Sequence, residues 1–282
     1  MNRNQKRVLD YYRSLESKLG YKFITWETKH FGYYPQEKPT ISEQHAQELM
    51  QDLIAKNAHL TREDLVLDAG CGYGVVACYL AKKTKAKIIG IDINQYEIHK
   101  AKARAEKLGL QNKVSFFVKD YSKTGFPKNH FDATYTMETL SHSPDLQKTL
   151  KEFFRILKPG GRIALFEYTL APDSEFSSYE MSMLDLGVAG TAAMGLKAFR
   201  HDAFADVLRK IGFRNVKEQN ITKNFAPSVH RLRNISRIPY IFIKLTGLQK
   251  HFVNAMIAIE WSRFVDKGLW RYCIFTAEKP ER

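Results

Sequence analysis

The stretch Leu65–Gly74 reads L-V-L-D-A-G-C-G-Y-G and decides the fold. Apolar residues lead to an acid, Asp68, and glycines follow at Gly70, Gly72 and Gly74. A buried strand that ends in glycines can turn tightly into a helix, and the bare backbone N–H groups there can approach a ligand closely. The stretch therefore predicts an α/β sheet that binds a nucleotide-like ligand at this turn.

The glycine spacing leaves two ligand classes open. Dinucleotide-binding enzymes use a related loop, G-x-G-x-x-G, with an acid roughly 20 positions further on. Here Val75 occupies the position of the third glycine, and Asp68 stands two residues before the first. On this stretch alone, a nicotinamide or flavin ligand remains an alternative to another type of nucleoside.

Strands and helices alternate along the chain after this loop. Periodicity and helix-stop signals predict helices up to Lys83, from Asn94 to Gly109, from Leu146 to Leu157 and near Asp202–Ile211, and strands at Lys87–Asp92, Val114–Lys119, Phe131–Met137, Arg162–Tyr168, Phe213–Thr222 and Trp270–Ala277. Such alternation forms a parallel sheet that is covered on both faces.

Three segments lie outside this alternation in a single predicted domain, 1–282. The segment 1–60 is expected to be an N-terminal helical lid; residues 1–39 are aromatic-rich and irregular in pattern, and Thr40–Glu43 gives a capping-box signal for a following helix. The segments 171–200 and 223–268 are predicted to be insertions above the carboxyl ends of the strands, where they would form a substrate cap.

Composition narrows the class of protein. The net charge is +14, and no Asp or Glu occurs between Gln219 and Ile259. Basic residues alternate there with large apolar ones, which suits a surface on a membrane, a lid over an apolar anionic ligand, or an ordinary solvated helix face. We expect peripheral membrane contact through the segment 223–251. The basic residues considered are Lys223, Arg231, Arg233, Arg237, Lys244 and Lys250.

Other whole-chain features point to the cytoplasm. The three cysteines lack the spacing of a zinc site or a disulfide framework. The charged N-terminus carries no secretory signal, and no apolar run reaches the roughly 20 residues that span a bilayer. No recognised nucleic-acid-reading module is present, so no nucleic-acid partner is expected. Self-association into a homo-oligomer stays open.

Acids also follow the next two strands. Asp92 lies 22 positions after Gly70 and could accept hydrogen bonds from both hydroxyls of a ribose, or cap the helix that starts near Asn94. Asp120 ends the third strand and could accept from an adenine amino group. The glycine loop and the two acids in consecutive β-α units reinforce one another as a nucleoside site.

Further motifs resemble one family. Tyr135–Asp145 reads Y-T-M-E-T-L-S-H-S-P-D, Leu157–Gly161 reads L-K-P-G-G, and Phe166–Tyr168 reads F-E-Y. With the glycine loop, they resemble class I S-adenosylmethionine (SAM) methyltransferases of the subgroup that contains sterol C-24 methyltransferases, tocopherol-type enzymes, isoprenoid C-methyltransferases and small-molecule O-methyltransferases. The resemblance runs from about Tyr11 to the final strand and is specific from Leu65 to Leu170.

The resemblance implies a fold and a cofactor. The fold is a doubly wound, mostly parallel seven-stranded sheet of Rossmann-like type, with its last strand antiparallel and with helical cap insertions. The cofactor is SAM, with S-adenosylhomocysteine as product. Tyr179–Met181 and Asp185 also resemble an acidic segment of sterol methyltransferases, but Ser182 replaces its second acid, which weakens the case for a true sterol.

The resemblance also assigns the cofactor-binding residues. Gly70, Cys71 and Gly72 would hold the methionine part, Asp92 and Ile93 the ribose, and Asp120 and Tyr121 the adenine, while Met137 would contact the cofactor through its backbone. Tyr33 matches an N-terminal segment that closes over the cofactor. The full expected set is Tyr33, Asp68, Gly70, Cys71, Gly72, Asp92, Ile93, Asp120, Tyr121 and Met137.

Glu138, His142 and Glu167 follow strands four and five and are expected to face the cleft above the cofactor. His142 suits a general base for an oxygen or nitrogen nucleophile. Glu138 and Glu167 could hold the charge of a carbocation or collect its proton. Structural roles remain alternatives: either acid could pair with an N-terminal residue, and His142 could bond to backbone at a helix start. Tyr12, the fourth predicted catalytic residue, belongs to an aromatic cluster able to stabilise a cation. That cluster is Tyr11, Tyr12, Trp26, Phe31 and Tyr34.

The primary functional hypothesis is C-methylation of a small hydrophobic, isoprenoid-like or sterol-like substrate in natural-product biosynthesis. O- or N-methylation of a polar or glycosylated metabolite, with His142 as base, is the alternative. Base methylation of nucleic acid is less favoured, because no D/N-P-P-Y type segment follows strand four. No resident metal is expected. Mg²⁺ enters only if the substrate is a diphosphate, which Arg231, Arg233 and Arg237 would then meet.

Overall fold

Seven strands form one sheet in the computed structural model, which describes residues 3–37, 40–248 and 251–281. In chain order they are β1 (Leu65–Ala69), β2 (Lys87–Asp92), β3 (Val114–Val118), β4 (Phe131–Met137), β5 (Leu157–Leu170), β6 (Arg214–Asn220) and β7 (Trp270–Glu278). Their order across the sheet is β3-β2-β1-β4-β5-β7-β6. Strands β1 to β5 pair in parallel, whereas β7 runs antiparallel to both β5 and β6. The predicted fold class is confirmed.

Helices cover both faces of this sheet. Those of the described residues are α1 (Arg3–Arg13), α2 (Leu15–Phe23), α3 (Glu43–Asn57), α4 (Val75–Thr84), α5 (Gln95–Lys107), α6 (Leu146–Ile156), α7 (Ser178–Gly190), α8 (Phe204–Ile211), α9 (Thr222–Leu245) and α10 (Val253–Asp266). One apolar core joins α3, α4, α5, α7, α9 and α10 to one face, and a second joins α6 and α8 to the other.

Helix α6 shows how the sequence dictates these layers. Its buried residues include Leu146, Leu150 and Phe153, which recur at helical spacing and form one apolar face against the sheet. The Asp145 side chain caps the first turn by accepting from the Lys148 N–H at 2.9 Å. The loop between β4 and α6 is thereby held at the carboxyl edge of the sheet.

The N-terminal segment departs from expectation. Residues 1–39 looked irregular, but α1 and α2 occupy most of the described part of them. Many charged side chains lie between their apolar residues, so the helical periodicity was weak in the sequence. The helix expected from Thr40–Glu43 exists as α3, but its N-cap is Ser42, whose side chain accepts from the His45 N–H at 3.2 Å.

The two late insertions are more regular than their sequences suggested. The segment 171–200 contains α7, and 223–268 forms most of α9 and α10. Pro227 and Pro239 lie inside α9 and obscured its helical signal. Within the described residues, no helix has both the length and the apolar character needed to span a bilayer. Lys250 of the basic segment lies outside the described residues.

Candidate active site

A first cavity lies at the carboxyl ends of β1, β2 and β4, beneath α1. The glycine loop lines it, with φ of 90° at Gly70, 49° at Gly72 and 68° at Gly74. Side chains rarely tolerate such values, which explains the glycines. A Cβ at Gly70 would also lie 2.2 Å from Thr139 Oγ1, so this glycine permits close contact with the loop after β4. We name this space the cofactor cavity.

Asp92 ends β2 beside the glycine loop. Its Oδ2 accepts from the Gly72 N–H at 3.1 Å, and its Oδ1 accepts from the Asn94 N–H at 2.8 Å. Burial raises the pKa of Asp92 above its usual range. Each carboxylate oxygen has a further lone pair, so Asp92 can accept from ribose hydroxyls while it fixes the loop relative to α5.

Two carboxylates of the cofactor cavity keep an oxygen without a partner. Asp68 Oδ2 and Glu97 Oε2 are buried and make no hydrogen bond. Burial raises the pKa of Asp68 to about 7 and also raises that of Glu97. A cationic ligand that donates hydrogen bonds would satisfy these oxygens and lower the pKa of both groups. The cavity therefore fits a positively charged nucleoside such as SAM.

The opposite end of the cofactor cavity carries Asp120 and Tyr121. Asp120 Oδ2 accepts from Gln5 Nε2 at 2.6 Å, and Oδ1 accepts from the Ser122 N–H at 2.7 Å. Helix α1 thus closes over this end through Gln5. An adenine amino group that donates to Asp120 would share the carboxylate with α1.

The structure gathers most of the predicted cofactor residues in this one cavity. Tyr33 does not line it, because its N–H donates to the Ala46 carbonyl at 2.8 Å and its side chain packs against the apolar core. The same segment presents Lys29 and His30 to the cavity instead. The predicted residues that do line it are Asp68, Gly70, Cys71, Gly72, Asp92, Ile93, Asp120, Tyr121 and Met137.

A second cavity, of about 750 Å³, lies between α2, α9, α10 and the sheet. Its lining is mostly apolar and aromatic, with Phe31, Tyr168, Trp261 and Trp270 on its inner side. We name it the apolar cavity. Its size and lining suit a ligand that is largely hydrocarbon.

The two cavities meet at a junction of five residues that line both of them: Tyr12, Lys29, His30, Glu138 and His142. Three of the four residues predicted to be catalytic are in this set. A group that bridges the two cavities must pass these side chains, so reactive atoms from two ligands would meet here.

Glu138 is the most constrained residue of the junction. It adopts a φ of 54°, which is unusual for a residue with a side chain and is often found at functional sites. Its Oε1 accepts from the Phe31 N–H at 2.9 Å, and its Oε2 accepts from the Tyr168 hydroxyl. Burial raises the pKa of Glu138 to about 8. Without a ligand, the carboxyl group is therefore mostly protonated at neutral pH.

His142 and Tyr12 form a hydrogen-bonded pair at the junction. His142 Nδ1 lies 3.3 Å from the Ala192 carbonyl, which can only accept, so the network assigns the ring hydrogen to Nδ1. Nε2 then accepts from the Tyr12 hydroxyl at 3.0 Å. Burial lowers the pKa of His142 to about 4, so the ring is neutral. Any action of His142 as a base would pass through Tyr12.

Glu167 does not face the cleft as expected. It is 1% exposed and lines neither cavity. Its Oε1 accepts from the Thr136 hydroxyl and from the N–H groups of Thr139 and Leu140, at 2.9, 3.2 and 3.0 Å. Burial raises the pKa of Glu167 to about 7. Its side chain holds the loop after β4 in position beneath the junction.

Two further expectations for side chains change. The aromatic cluster is dispersed: Tyr12 lies at the junction, Tyr11 and Phe31 line the apolar cavity, Trp26 is 42% exposed, and Tyr34 donates to a buried glutamate. In place of one cluster, the chain distributes its rings around the apolar cavity.

The acids after β5 also lie away from both cavities. Glu180 caps α7 and pairs with Lys267 at 2.6 Å, and Asp185 pairs with Lys197. Among the predicted phosphate-binding arginines, Arg231 lines the apolar cavity, whereas Arg233 pairs with Asp266 at 3.2 Å. The described residues contain no group of acids, histidines and cysteines arranged to hold a metal ion.

Lys29 is a residue of the site that the sequence did not predict. Its Nζ lies 2.6 Å from Glu97 Oε1, 4.3 Å from the centre of the Tyr12 ring and 4.4 Å from that of Tyr73. An ammonium between ring faces and a carboxylate is stabilised by both. A single lysine in a segment without a motif gives no signal in the sequence, because its partner Glu97 lies 68 residues away.

Known proteins resemble this chain both in one domain and over nearly its whole length. A family model described as "Methyltransferase domain" matches residues 67–165. An S-adenosyl-L-methionine-dependent Diels-Alderase, iccD, of Talaromyces variabilis is 31% identical over 286 residues, covering 98% of this chain and 96% of that protein. Sterol 24-C-methyltransferase of Kluyveromyces lactis is 29% identical over 221 residues, which cover 73% of this chain but only 57% of that enzyme.

A solved structure shows the same fold over nearly the whole chain. The [4+2]-cyclase SpnF superposes with a TM-score of 0.78 at 22% identity, covering 98% of this chain and 97% of that one. The similarity therefore includes α1, α2, α7, α9 and α10 as well as the central sheet.

Proposed function

The chain belongs to the class I SAM-dependent methyltransferases, and from this premise we propose that it methylates a carbon atom of a hydrophobic, isoprenoid-like acceptor. SAM is the cofactor, and S-adenosylhomocysteine is the product of methyl transfer. The observation that carries the proposal is the apolar cavity of about 750 Å³, which meets the cofactor cavity at Glu138, Tyr12 and His142. The sterol methyltransferase relative supports the same acceptor class.

The cofactor supplies an electrophilic methyl group on a positively charged sulfur. The residues of the cofactor cavity have to orient that group toward the junction and exclude water. Holding two reactants in alignment can supply most of the rate acceleration of such a transfer. Asp92 and the glycine loop hold one partner, while the apolar walls hold the other.

Glu138 is proposed to take up the proton that C-methylation releases. An alkene carbon that gains the methyl group forms a new C–C bond as the S–CH₃ bond breaks, and the resulting carbocation must lose a proton. A nearby positive charge lowers the pKa of a buried carboxyl group. Binding of the cationic cofactor would therefore ionise Glu138 and prepare it to stabilise the carbocation and accept its proton.

The alternative acceptor is a hydroxyl or amine of a polar metabolite. Its proton would pass to Tyr12 as the Tyr12 proton passes to His142 Nε2, since these two side chains already share a hydrogen bond of 3.0 Å. The low pKa of His142 and the apolar character of the larger cavity favour the carbon acceptor over this route.

A second candidate activity is an intramolecular [4+2] cyclisation. A relative that matches almost the whole chain is named a SAM-dependent Diels-Alderase. In such a reaction two C–C bonds form within one polyene, nothing leaves, and the cofactor is not consumed. The apolar cavity could hold a folded polyene so that its reacting carbons approach each other.

One assay separates these activities. The protein is incubated with methyl-labelled SAM and, separately, with sterols, prenyl diphosphates, quinol precursors, hydroxylated metabolites and linear polyenes, and products are identified by mass. Carbon-bound label in a sterol or prenyl acceptor supports the proposal. Label only in hydroxylated acceptors would reject it, and an isomer of unchanged mass without S-adenosylhomocysteine would identify a cyclase. Asp92→Ala is the control that should abolish every cofactor-dependent product.

Access to such an acceptor completes the proposal. The segment 223–251 is proposed to contact a membrane, where hydrophobic acceptors are concentrated. Its described residues, 223–248 and 251, form nearly all of α9 and part of the turn that follows.

A further inference from the structure

Helix α2 exposes an apolar stripe. Leu15, Leu19 and Phe23 follow one another at intervals of four, so they lie along one face of the helix. They are 72%, 47% and 65% exposed. Large apolar side chains at such exposure on successive turns are unusual for a surface that only meets water.

Helix α9 exposes a second stripe along its last two turns. Ile238, Ile241, Phe242 and Leu245 recur at helical spacing, and Ile238 and Leu245 are 68% and 79% exposed. The buried residues of this helix lie mostly in its first half. The second half therefore contributes surface more than core.

The α2 stripe borders the opening of the apolar cavity, and the α9 stripe continues from Ile235, which also lines that opening. Leu19, Phe23, Ile235 and Phe252 line this cavity and are also at least 40% exposed. We name these four residues the rim. Arg231 joins the two sides, since its guanidinium donates to the Ile24 carbonyl of the α2 segment at 3.2 Å. The solvent-facing stripes are thus continuous with the inner wall of the apolar cavity.

Basic side chains surround the stripes. Lys18 and Lys22 are exposed on α2, and Arg237 and Lys244 are exposed on α9. The acid on α2, Glu16, is engaged by the N–H groups of Asn254 and Ala255. No other acid lies on α2, and none lies on α9. An apolar face flanked by cations is the composition of a helix that lies in the headgroup region of an anionic bilayer.

We propose that α2 and the second half of α9 form one membrane-docking surface for anionic lipid, with the rim of the apolar cavity at its centre. Docking would place the cavity opening against the acyl region, so a lipid-soluble acceptor could enter without crossing water. The role in delivery rests on the proposed hydrophobic acceptor, whereas the docking itself does not depend on it.

Charge selects the bilayer over a second copy of the chain. A twofold contact through this surface would bring Lys18, Lys22, Arg237 and Lys244 of each copy toward the same cations of the other. Like charges oppose such a contact. Anionic headgroups complement them instead, and the apolar stripes would find a hydrocarbon environment between those headgroups.

Vesicle flotation tests the docking independently of turnover. The full chain is mixed at near-physiological salt with vesicles of phosphatidylcholine alone or with about one-third phosphatidylserine. We expect flotation with the anionic vesicles and at least tenfold weaker binding to the neutral ones. Failure of the wild-type protein to float with either kind would overturn the proposal.

Two sets of variants separate the apolar and charged contributions. Phe23→Ser with Ile238→Ser and Leu245→Ser removes the stripes, and Lys22→Glu with Arg237→Glu and Lys244→Glu reverses the flanking charge. Each set should reduce binding to anionic vesicles at least tenfold. The matched controls on α5 and after it, Leu108→Ser and Lys102→Glu, change exposed residues of the same types elsewhere and should float like wild type.

Trp26 gives a local signal. It is 42% exposed beside Arg231, whereas the other two tryptophans, Trp261 and Trp270, are 4% and 3% exposed. Lipids brominated on their acyl chains should quench the fluorescence that Trp26→Phe removes. Unquenched Trp26 in protein bound to vesicles would mean that another surface docks.

The remaining outcomes are also decisive. Variants of both sets that float like wild type would overturn the proposal. The protein could instead fail to bind vesicles and form a concentration-dependent dimer that the stripe variant abolishes. That result would identify a second copy of the chain as the occupant of the surface and would also overturn the proposal. Unchanged affinity for S-adenosylhomocysteine shows that the variants remain folded. If docking holds while no hydrophobic acceptor is methylated, only the proposed function fails.

Discussion

The cofactor cavity and the apolar cavity are built by different kinds of contact. In the cofactor cavity the decisive hydrogen bonds join neighbouring β-α units, such as Gly72 to Asp92 across 20 residues and Thr139 to Glu167 across 28. Around the apolar cavity they join opposite ends of the chain, such as Glu16 to Asn254 across 238 residues. The strand ends that form the floor of the first cavity are therefore encoded locally, although Gln5 and Lys29 reach it from distant parts of the chain. The second cavity exists only once the whole chain is folded.

The two regions also differ in what stabilises them. The cofactor cavity contains buried carboxyl groups whose pKa values are raised, including Asp68 and Glu97. The walls of the apolar cavity are held by packed rings, such as Trp261 against Phe264 and Trp270. Changes of charge should thus act mainly on the first region and changes of volume on the second.

Glu138 belongs to both cavities and gives the largest expected effect. Its pKa is about 8 in the folded protein and 4.5 for the unperturbed group. As pH rises from 4.5 to 8, the unfolded state loses this proton while the folded state keeps it, so folding loses about 1.4 kcal/mol per pH unit. Glu138→Gln removes this loss. From pH 5 to pH 9, the free energy of unfolding should therefore fall by about 4 kcal/mol more in wild type than in Glu138→Gln.

Urea denaturation at pH 5, 7 and 9 measures that difference. Glu180→Gln is the control of opposite sign, because Lys267 holds the pKa of Glu180 down at about 2. That carboxylate stabilises the fold above pH 4.5 and loses this contribution only as pH falls toward 2, so Glu180→Gln should cost about the same stability at pH 5, 7 and 9. A pH-independent effect of Glu138→Gln would show that burial does not hold this carboxyl group protonated.

Lys29 provides the next largest effect, by a change of charge alone. Lys29→Met leaves Glu97 buried without its cation, which should cost about 3 kcal/mol of folding free energy. The double variant Lys29→Met, Glu97→Gln should recover most of this cost. Glu27→Gln breaks the neighbouring pair with Arg104, whose side chains are 44% and 28% exposed, and should cost under about 1 kcal/mol.

Chemical denaturation of the four proteins at pH 7 checks this order. Equal costs for Lys29→Met and Glu27→Gln would mean that the Glu97 site is open to water. The cofactor cavity would then not exclude water, and its ion pairs would behave like those on the protein surface.

Asp92 tests the cofactor cavity by affinity. Removing a charged acceptor of two ribose hydroxyls should weaken S-adenosylhomocysteine binding by about 100-fold, or about 2.7 kcal/mol. Ile257→Ala, in the wall of the apolar cavity, should leave that affinity within about twofold. Isothermal titration calorimetry measures both. A large loss in Ile257→Ala would show that the two cavities are not separable.

The cofactor cavity was predicted well because the sequence signals for it are local. The glycine loop, Asp92 and Asp120 each end a strand within one β-α unit, and parallel strands bring those ends together whatever the rest of the chain does. The α/β class follows from the same alternation, whereas the seven-stranded sheet with its antiparallel last strand was implied by the family resemblance; both are confirmed. Nine of the ten residues expected at the cofactor line one cavity.

The remaining positions depend on distant parts of the chain. The Glu167 side chain lies on the face of β5 that contacts the loop after β4. Because side chains alternate between the two faces of a strand, an error of one residue in register predicts the wrong face. Tyr33 is held by Ala46 of α3, and Lys29 by Glu97 of α5. The helical signal of 223–268 was masked by two prolines and by dense charge, so the apolar cavity had no counterpart in any single motif.

The smallest expected effect comes from a change in the packing between α7 and α10. A Cβ at Gly187 of α7 would lie 2.4 Å from Trp261 of α10, so Gly187→Ala should force these helices apart. Overpacking outweighs the gain in helix propensity and should cost about 1–2 kcal/mol of unfolding free energy. Gly20→Ala on α2 has nothing within 4 Å and should instead stabilise the protein by up to about 1 kcal/mol.

Because neither glycine contacts the cofactor cavity, both variants should bind S-adenosylhomocysteine like wild type. Opposite shifts of the urea midpoint, with unchanged affinity for S-adenosylhomocysteine, would show that side-chain volume controls the packing of these helices without affecting the cofactor cavity. A loss of affinity in Gly187→Ala would instead reveal that packing between α7 and α10 reaches the cofactor through the junction, and the contrast between the two cavities would then be one of composition only.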